Sequence, residues 1–240
     1  MKYVIRFQKT GVICYTSHLD MMKVFKRSFQ RDGIRLAYSQ GFNPHPKMGF
    51  AQPLSLGYES MDEYIEFETV DVAEDGIQIN GDQQVILDRM RALMPEGLEL
   101  ISIKEATHPK TLAANTVAAD YQIEIPLPEG RTGSLPADAG EIWHTYMDRD
   151  EIITLKKQKK KKDLVPVNIR PKIREITFYL IDTGTPDAML RIEACLDSGS
   201  DSNLSPELVI TTILDTFGIE VPRNEISVTR KKIHFKELLT

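Results

Sequence analysis

Nine consecutive residues, 39–47, read Ser-Gln-Gly-Phe-Asn-Pro-His-Pro-Lys, and their types suit the binding of an anionic, base-bearing ligand. Phe42 can stack on a base, and Asn43 and His45 can hydrogen-bond to base edges or sugar. Lys47 can meet a phosphate. Gly41 accepts a positive φ without steric cost. Pro44 and Pro46 fix φ and push Asn43 and His45 towards extended geometry. The segment is therefore expected to be a rigid loop, neither helix nor strand. Such loops often carry function, although the same punctuation also builds purely structural turns.

A helix expected just upstream holds a second set. Ser17 opens it and Asp20 stands three residues later, a capping-box-like pattern. A helix N-terminus presents free N–H groups and a partial positive charge, which suits an anion. His18 could add a proton or a hydrogen bond there. Plain capping by Ser17 and Asp20 is the alternative. Lys23, Arg27 and Arg31 follow at four-residue intervals, so they share one helix face, with Lys26 and Gln30 beside them. No acid lies between Lys23 and Arg31, whereas solvated faces usually mix both signs. A ridge of this kind can contact successive phosphates. His18, Asp20 and His45 also offer metal-ligand atoms, but they are scattered in sequence and no metal is expected.

The chain has 240 residues, 41% hydrophobic and 27% charged, enough for a sizeable core in one large or two small domains. No run approaches the ~18 apolar residues of a membrane span. The opening residues, interrupted by Arg6 and Lys9, read as a first strand and not as a secretory signal. The two cysteines, Cys14 and Cys195, are far apart, which fits a reducing, cytoplasmic compartment. The net charge of −5 conceals segregation. Residues 1–50 carry +7, 51–155 carry −15, 156–174 carry +8 and 175–240 carry −5. Two basic segments in an acidic chain suggest a local anionic partner. The run 156–162, with Lys157 and Lys160 within it, is expected as a loop or hairpin tip that either binds phosphates or keeps the chain soluble.

Periodicity organises the rest. Tyr3, Ile5 and Phe7 alternate as a strand, which residues 12–15 may extend or pair with. A helix runs from Ser17 to its stop at Gly33, with Leu19, Met22, Phe25 and Phe29 as its apolar stripe. A short strand at 34–38 enters the 39–47 loop, residues 47–51 leave it, and a strand at 63–70, a helix at 82–94 and a strand at 98–104 follow. Residues 105–117 are polar and small and are expected as a linker. The second half repeats the order loosely: a strand at 119–127, a helix at 138–148, strands at 152–155, 175–181 and 189–196, a helix at 205–217 and a strand at 225–235. The expected class is α+β, with two tandem ferredoxin-like (β-α-β-β-α-β) units carrying antiparallel sheets, at 1–105 and 118–240.

Motifs for nucleotide cradles, zinc proteases and iron–sulfur clusters are absent from the sequence, and no nucleophilic triad stands out. No cofactor is expected.

Ser17-His18-Leu19-Asp20, Phe25, Arg27, the stretch Tyr38 to Lys47, Pro53-Leu54-Ser55-Leu56-Gly57 and Glu63-Tyr64 together resemble the radical-SAM-linked (radical-SAM-associated) bacterial protein family, a domain of unknown function. The resemblance is strong over residues 1–105 and looser beyond. It implies a link to radical SAM enzymes, behind which such domains also occur fused, and an RNA-linked gene context. This chain lacks the cysteine triplet of a radical SAM cluster, so the resemblance implies a companion of the enzyme.

The leading expectation is an RNA-binding accessory protein that presents tRNA or rRNA to a radical SAM enzyme. Ser17, His18, Asp20, Lys23, Arg27, Arg31, Gly41, Phe42, Asn43, His45, Lys47, Lys157 and Lys160 would form its binding set. The first alternative is a metal-independent endoribonuclease with His18 and His45 as acid and base. The second is a protein-interaction module that docks the radical SAM partner. No membrane contact is expected.

Overall fold

A computed structural model describes residues 1–70, 83–127, 134–157, 164–181 and 188–237, without the side chain of Lys157. It is a mixed α/β structure with mainly antiparallel sheets. The chain divides into two compact units, Met1–Val117 with Lys232–Thr240, and Ala118–Lys231. The closing segment thus groups with the first unit, where the sequence reading had joined it to the second. No helix among the described residues is long and apolar enough to cross a membrane.

In the first unit, alternation makes β1 (Lys2–Lys9). Residues Gly11–Tyr15, expected as strand, wind instead into a 3₁₀ turn. Ser17 then caps α1 (His18–Arg31) by accepting the Asp20 N–H at 3.2 Å. The helix ends where the N–H groups of Gly33 and Ile34 reach back to the carbonyls of Gln30 and Phe29, at 3.3 and 2.9 Å. Residues 34–38, expected as a strand, make only isolated bridges, Leu36 to Thr69 and Tyr38 to Pro46. β2 (Met48–Phe50), β3 (Glu59–Glu68), α2 (Gln83–Arg91) and β4 (Leu98–Glu105) follow. The strands lie in the order β4-β1-β3 with β2 on the far side of β3, every pair antiparallel. Tyr3, Ile5, Phe7, Ile65 and Phe67 face α1 and α2 and pack on Phe25, Phe29 and Met90. The aromatic chain Phe7–Phe25–Phe29–Phe67 steps at 5.0, 6.1 and 4.3 Å between ring centroids.

Two buried carboxylates on the other face of β3 fasten the outlying segments. Asp62 accepts Arg6 Nε at 2.7 Å and the Ile233 N–H at 2.9 Å. Glu66 pairs with Lys2 at 2.7 Å and accepts the Leu112 N–H at 3.1 Å. The expected linker is therefore packed structure. It forms α3 (Leu112–Asn115), whose Leu112 and Asn115 are buried, and Asn115 brackets the backbone of Glu237 with two 3.1 Å hydrogen bonds.

The second unit holds β5 (Thr116–Leu127), α4 (Ala139–Met147), β6 (Ile153–Lys157), β7 (Leu164–Asn168), β8 (Ile173–Ile181), β9 (Ala188–Asp197), α5 (Pro206–Phe217) and most of β10 (Ser227–Phe235). Its sheet runs β10-β5-β9-β8. Among the described residues β6 and β7 pair only with each other, as a ribbon that follows α4 and precedes β8 in sequence. The lysine run sits at the end of this ribbon in sequence, with Lys157 opposite Leu164. Lys160 lies outside the described residues. α4 packs on β8 through Tyr146 and Phe178, 5.9 Å apart edge to face, and the Tyr146 hydroxyl bonds Thr212 of α5 at 2.7 Å.

Two outcomes are expected from these contacts. Gly97 has φ +82°, and a Cβ there would meet the Thr10 carbonyl, so Gly97→Ala should lower stability by about 2 kcal/mol or more in thermal unfolding. Burial pushes the Tyr146 phenol up to about 12 from its usual 10.0. The folded state keeps a proton that the unfolded chain releases, so stability present below pH 10 should fall as pH rises towards 12. In Tyr146→Phe, denaturant titrations across that window should show a shallower fall.

Candidate functional site

The 39–47 loop is a closed, braced tip. Ser39 and His45 are joined by the Ser39 N–H donating to the His45 carbonyl at 2.8 Å, and the Ser39 hydroxyl accepts the His45 N–H at 3.0 Å. One step down, the Lys47 N–H meets the Ala37 carbonyl at 2.8 Å, and the Ala37 N–H bonds Glu68 of β3 at 2.8 Å. Gly41 takes φ +138°, a value that side chains other than glycine rarely adopt. The bracing leaves Phe42 at 102% relative exposure, a whole aromatic ring in water. Asn43 and His45 are exposed beside it.

Helix α1 touches both flanks of this loop. Lys26 lies over the Tyr38 ring at 5.8 Å, and the His18 ring meets Phe50 of β2 edge-on at 5.2 Å. Among the described residues no hydrogen bond, ion pair or ring contact joins Ser17, His18 or Asp20 to residues 41–45. The two histidines, His18 and His45, share no hydrogen bond or ring contact.

The basic set separates into paired and unpaired members. Lys23 bonds Asp20 at 2.9 Å and Lys47 bonds Glu68 at 2.8 Å, both exposed pairs. The Lys23 ammonium, with the Ser17 hydroxyl, holds the Asp20 carboxyl below the usual carboxylate range. Arg27 and Arg31 are exposed and form no hydrogen bond or ion pair among the described residues. They are the cations most available to a phosphate. Exposed pairs contribute little and exchange readily, so Lys23 and Lys47 can join them when a stronger anion arrives.

Behind His18 lies a feature that sequence reasoning missed. Phe7, Lys9, Met21, Phe50, Gln52 and Glu63 line a cavity of about 20 Å³, room for one water. Lys9 is buried and its ammonium donates to the carbonyls of Cys14 at 3.4 Å and Thr16 at 3.2 Å, so it fixes the turn that leads into α1. Burial pushes the Lys9 pKa down, opposed by Cys14 and by Glu63, which is also buried. A signal for this pair was present in strand alternation. Lys9 shares the inward side of Phe7, and Glu63 shares the inward side of Ile65, so two charges occupy core positions.

The sequence model of the family described as "Uncharacterized protein conserved in bacteria (DUF2344)" matches residues 2–206, and the chain belongs to that family. No curated protein matches the chain.

Removing the cap should be felt locally. Ser17→Ala leaves the Asp20 N–H without its acceptor and should cost about 1 kcal/mol in chemical denaturation.

Proposed function

We propose that this member of the uncharacterized bacterial family is an RNA-binding accessory protein, cytoplasmic, that works with a radical SAM enzyme in the modification or processing of tRNA or rRNA. The carrying observation is Phe42, fully exposed on a loop braced at two levels. The braced backbone holds this ring out in water, open to stack on an unpaired base. Arg27 and Arg31 supply unpaired charge on the helix whose Lys26 packs on the loop's flank. Asn43 and His45 stand beside Phe42 for base edges or sugar.

The reading includes the fold. The strand orders β4-β1-β3-β2 and β10-β5-β9-β8 follow one plan once the β6–β7 ribbon is set aside, which supports two ferredoxin-like units in tandem. Several RNA-binding modules use sheets of this size. The radical SAM partner comes from the sequence resemblance, and two cysteines leave the cluster to that partner. Docking of that partner is also a reading in its own right. It is favoured by Val12, Tyr15, Leu19 and Leu56, exposed apolar side chains on segments that the Gly57 N–H ties to the Cys14 carbonyl at 2.9 Å.

Titration of labelled total tRNA at two salt concentrations tests the proposal. Binding should weaken with salt, and Phe42→Ala should weaken it by about 1–3 kcal/mol, the usual loss for one stacked base. Arg27→Gln with Arg31→Gln should lower the salt slope by about 2. An absence of binding at low ionic strength, or equal affinity in Phe42→Ala, would sink the idea. Capture of a protein partner that survives nuclease treatment, with RNA affinity absent, would favour docking.

A further inference from the structure

The face of the first unit's sheet turned away from α1 and α2 carries a cleft of about 450 Å³, within the range of small-ligand sites. Arg6 from β1, Tyr64 from β3 and Ser102 and Lys104 from β4 line it, with Lys232 and Phe235 from the closing segment. The rings of Tyr64 and Phe235 stand 5.1 Å apart at 88° and are half-buried, so they make a fixed aromatic wall. Lys104 and Lys232 are exposed and form no hydrogen bond or ion pair among the described residues. The acid at the rim, Glu237, is matched by Lys110 at 3.3 Å. Asp62 prearranges the rest. It bonds Arg6 at 2.7 Å and holds Ile233 by its N–H at 2.9 Å.

We infer that this cleft is a nucleotide subsite. A base packs against Tyr64 and Phe235, and its phosphate meets Lys104 and Lys232, with the Ser102 hydroxyl within the same cleft. The chemistry needs both halves: aromatic carbon for a flat ring and unpaired cations for an anion. The nucleotide is either free or one unit of an RNA chain. This inference rests on the reading of the protein as an RNA binder and adds a set of residues separate from Phe42, Arg27 and Arg31.

The test uses the full chain with two probes, uridine monophosphate and a labelled uridine decamer, at low ionic strength. Both carry a base and a phosphate, and they separate a free nucleotide from one within a chain. Binding of either probe is expected, with K104E/K232E weakening it by about tenfold or more. The exposed control Arg35→Glu should bind as the wild type does. Lys104→Gln with Lys232→Gln, which adds no negative charge, should give a smaller loss in the same direction. The inference is overturned if the wild type binds neither probe, or if K104E/K232E binds as tightly as the wild type. The loop's role is judged apart from this, by Phe42→Ala on tRNA. Loss there with no nucleotide binding in the cleft would leave the RNA-binding reading standing and remove the subsite alone.

Discussion

Two carboxylates buried on β3 organise the first unit. An ionised carboxylate out of water must be matched by charge or hydrogen bonds, or its desolvation goes uncompensated. Asp62 meets this demand with Arg6 and the Ile233 N–H, and Glu66 meets it with Lys2 and the Leu112 N–H. The partners come from three stretches of chain: β1 supplies Lys2 and Arg6, α3 supplies Leu112 and β10 supplies Ile233. Satisfying two acids therefore forces the N-terminal strand, the 106–117 segment and the closing residues into one body. The opposite face of the same strand needs no such matching, because Ile65 and Phe67 simply join the apolar core.

That division of labour shapes what the unit offers to a ligand. The helix-bearing side is filled, and its surface display is delegated to a loop whose conformation is fixed by backbone bonds and one glycine. The other side keeps polar groups because the acids hold them there. In both places hydrogen bonds to the main chain brace the backbone that carries the exposed side chains.

Much of this architecture was written in short-range signals. The Ser17 cap, the Gly33 stop, and the Ser205, Pro206 and Gly218 punctuation of α5 mark helix ends that the structure reproduces. The Tyr3-Ile5-Phe7 alternation marks β1. What stayed hidden depends on distant partners. Residues 105–117 look like a linker because their polarity is local, while Asn115 and Leu112 find their partners at Glu237 and Glu66. Residues 12–15 have strand-like composition, yet the buried Lys9 ammonium needs the carbonyls of Cys14 and Thr16 and draws the backbone into a turn. The cleft was illegible for the same reason, since Arg6, Lys104 and Lys232 gather only when three strands do. The exposed tip at Phe42 was the legible part of the candidate site, because glycine and proline act on their own neighbours.

The grouping of the closing residues with the first unit has a consequence for biosynthesis. Asp62 and Ile233 are separated by 171 positions, yet one bonds the other. At translation speeds of roughly 5–20 residues per second, the strand carrying Asp62 waits on the order of ten seconds or more for its last partner. The whole second unit is made in that interval. A nascent chain therefore carries a first unit in which Asp62 has Arg6 but not the Ile233 N–H, and that second bond forms only after synthesis has passed through the second unit. Any RNA subsite built on Lys232 and Phe235 is absent until then.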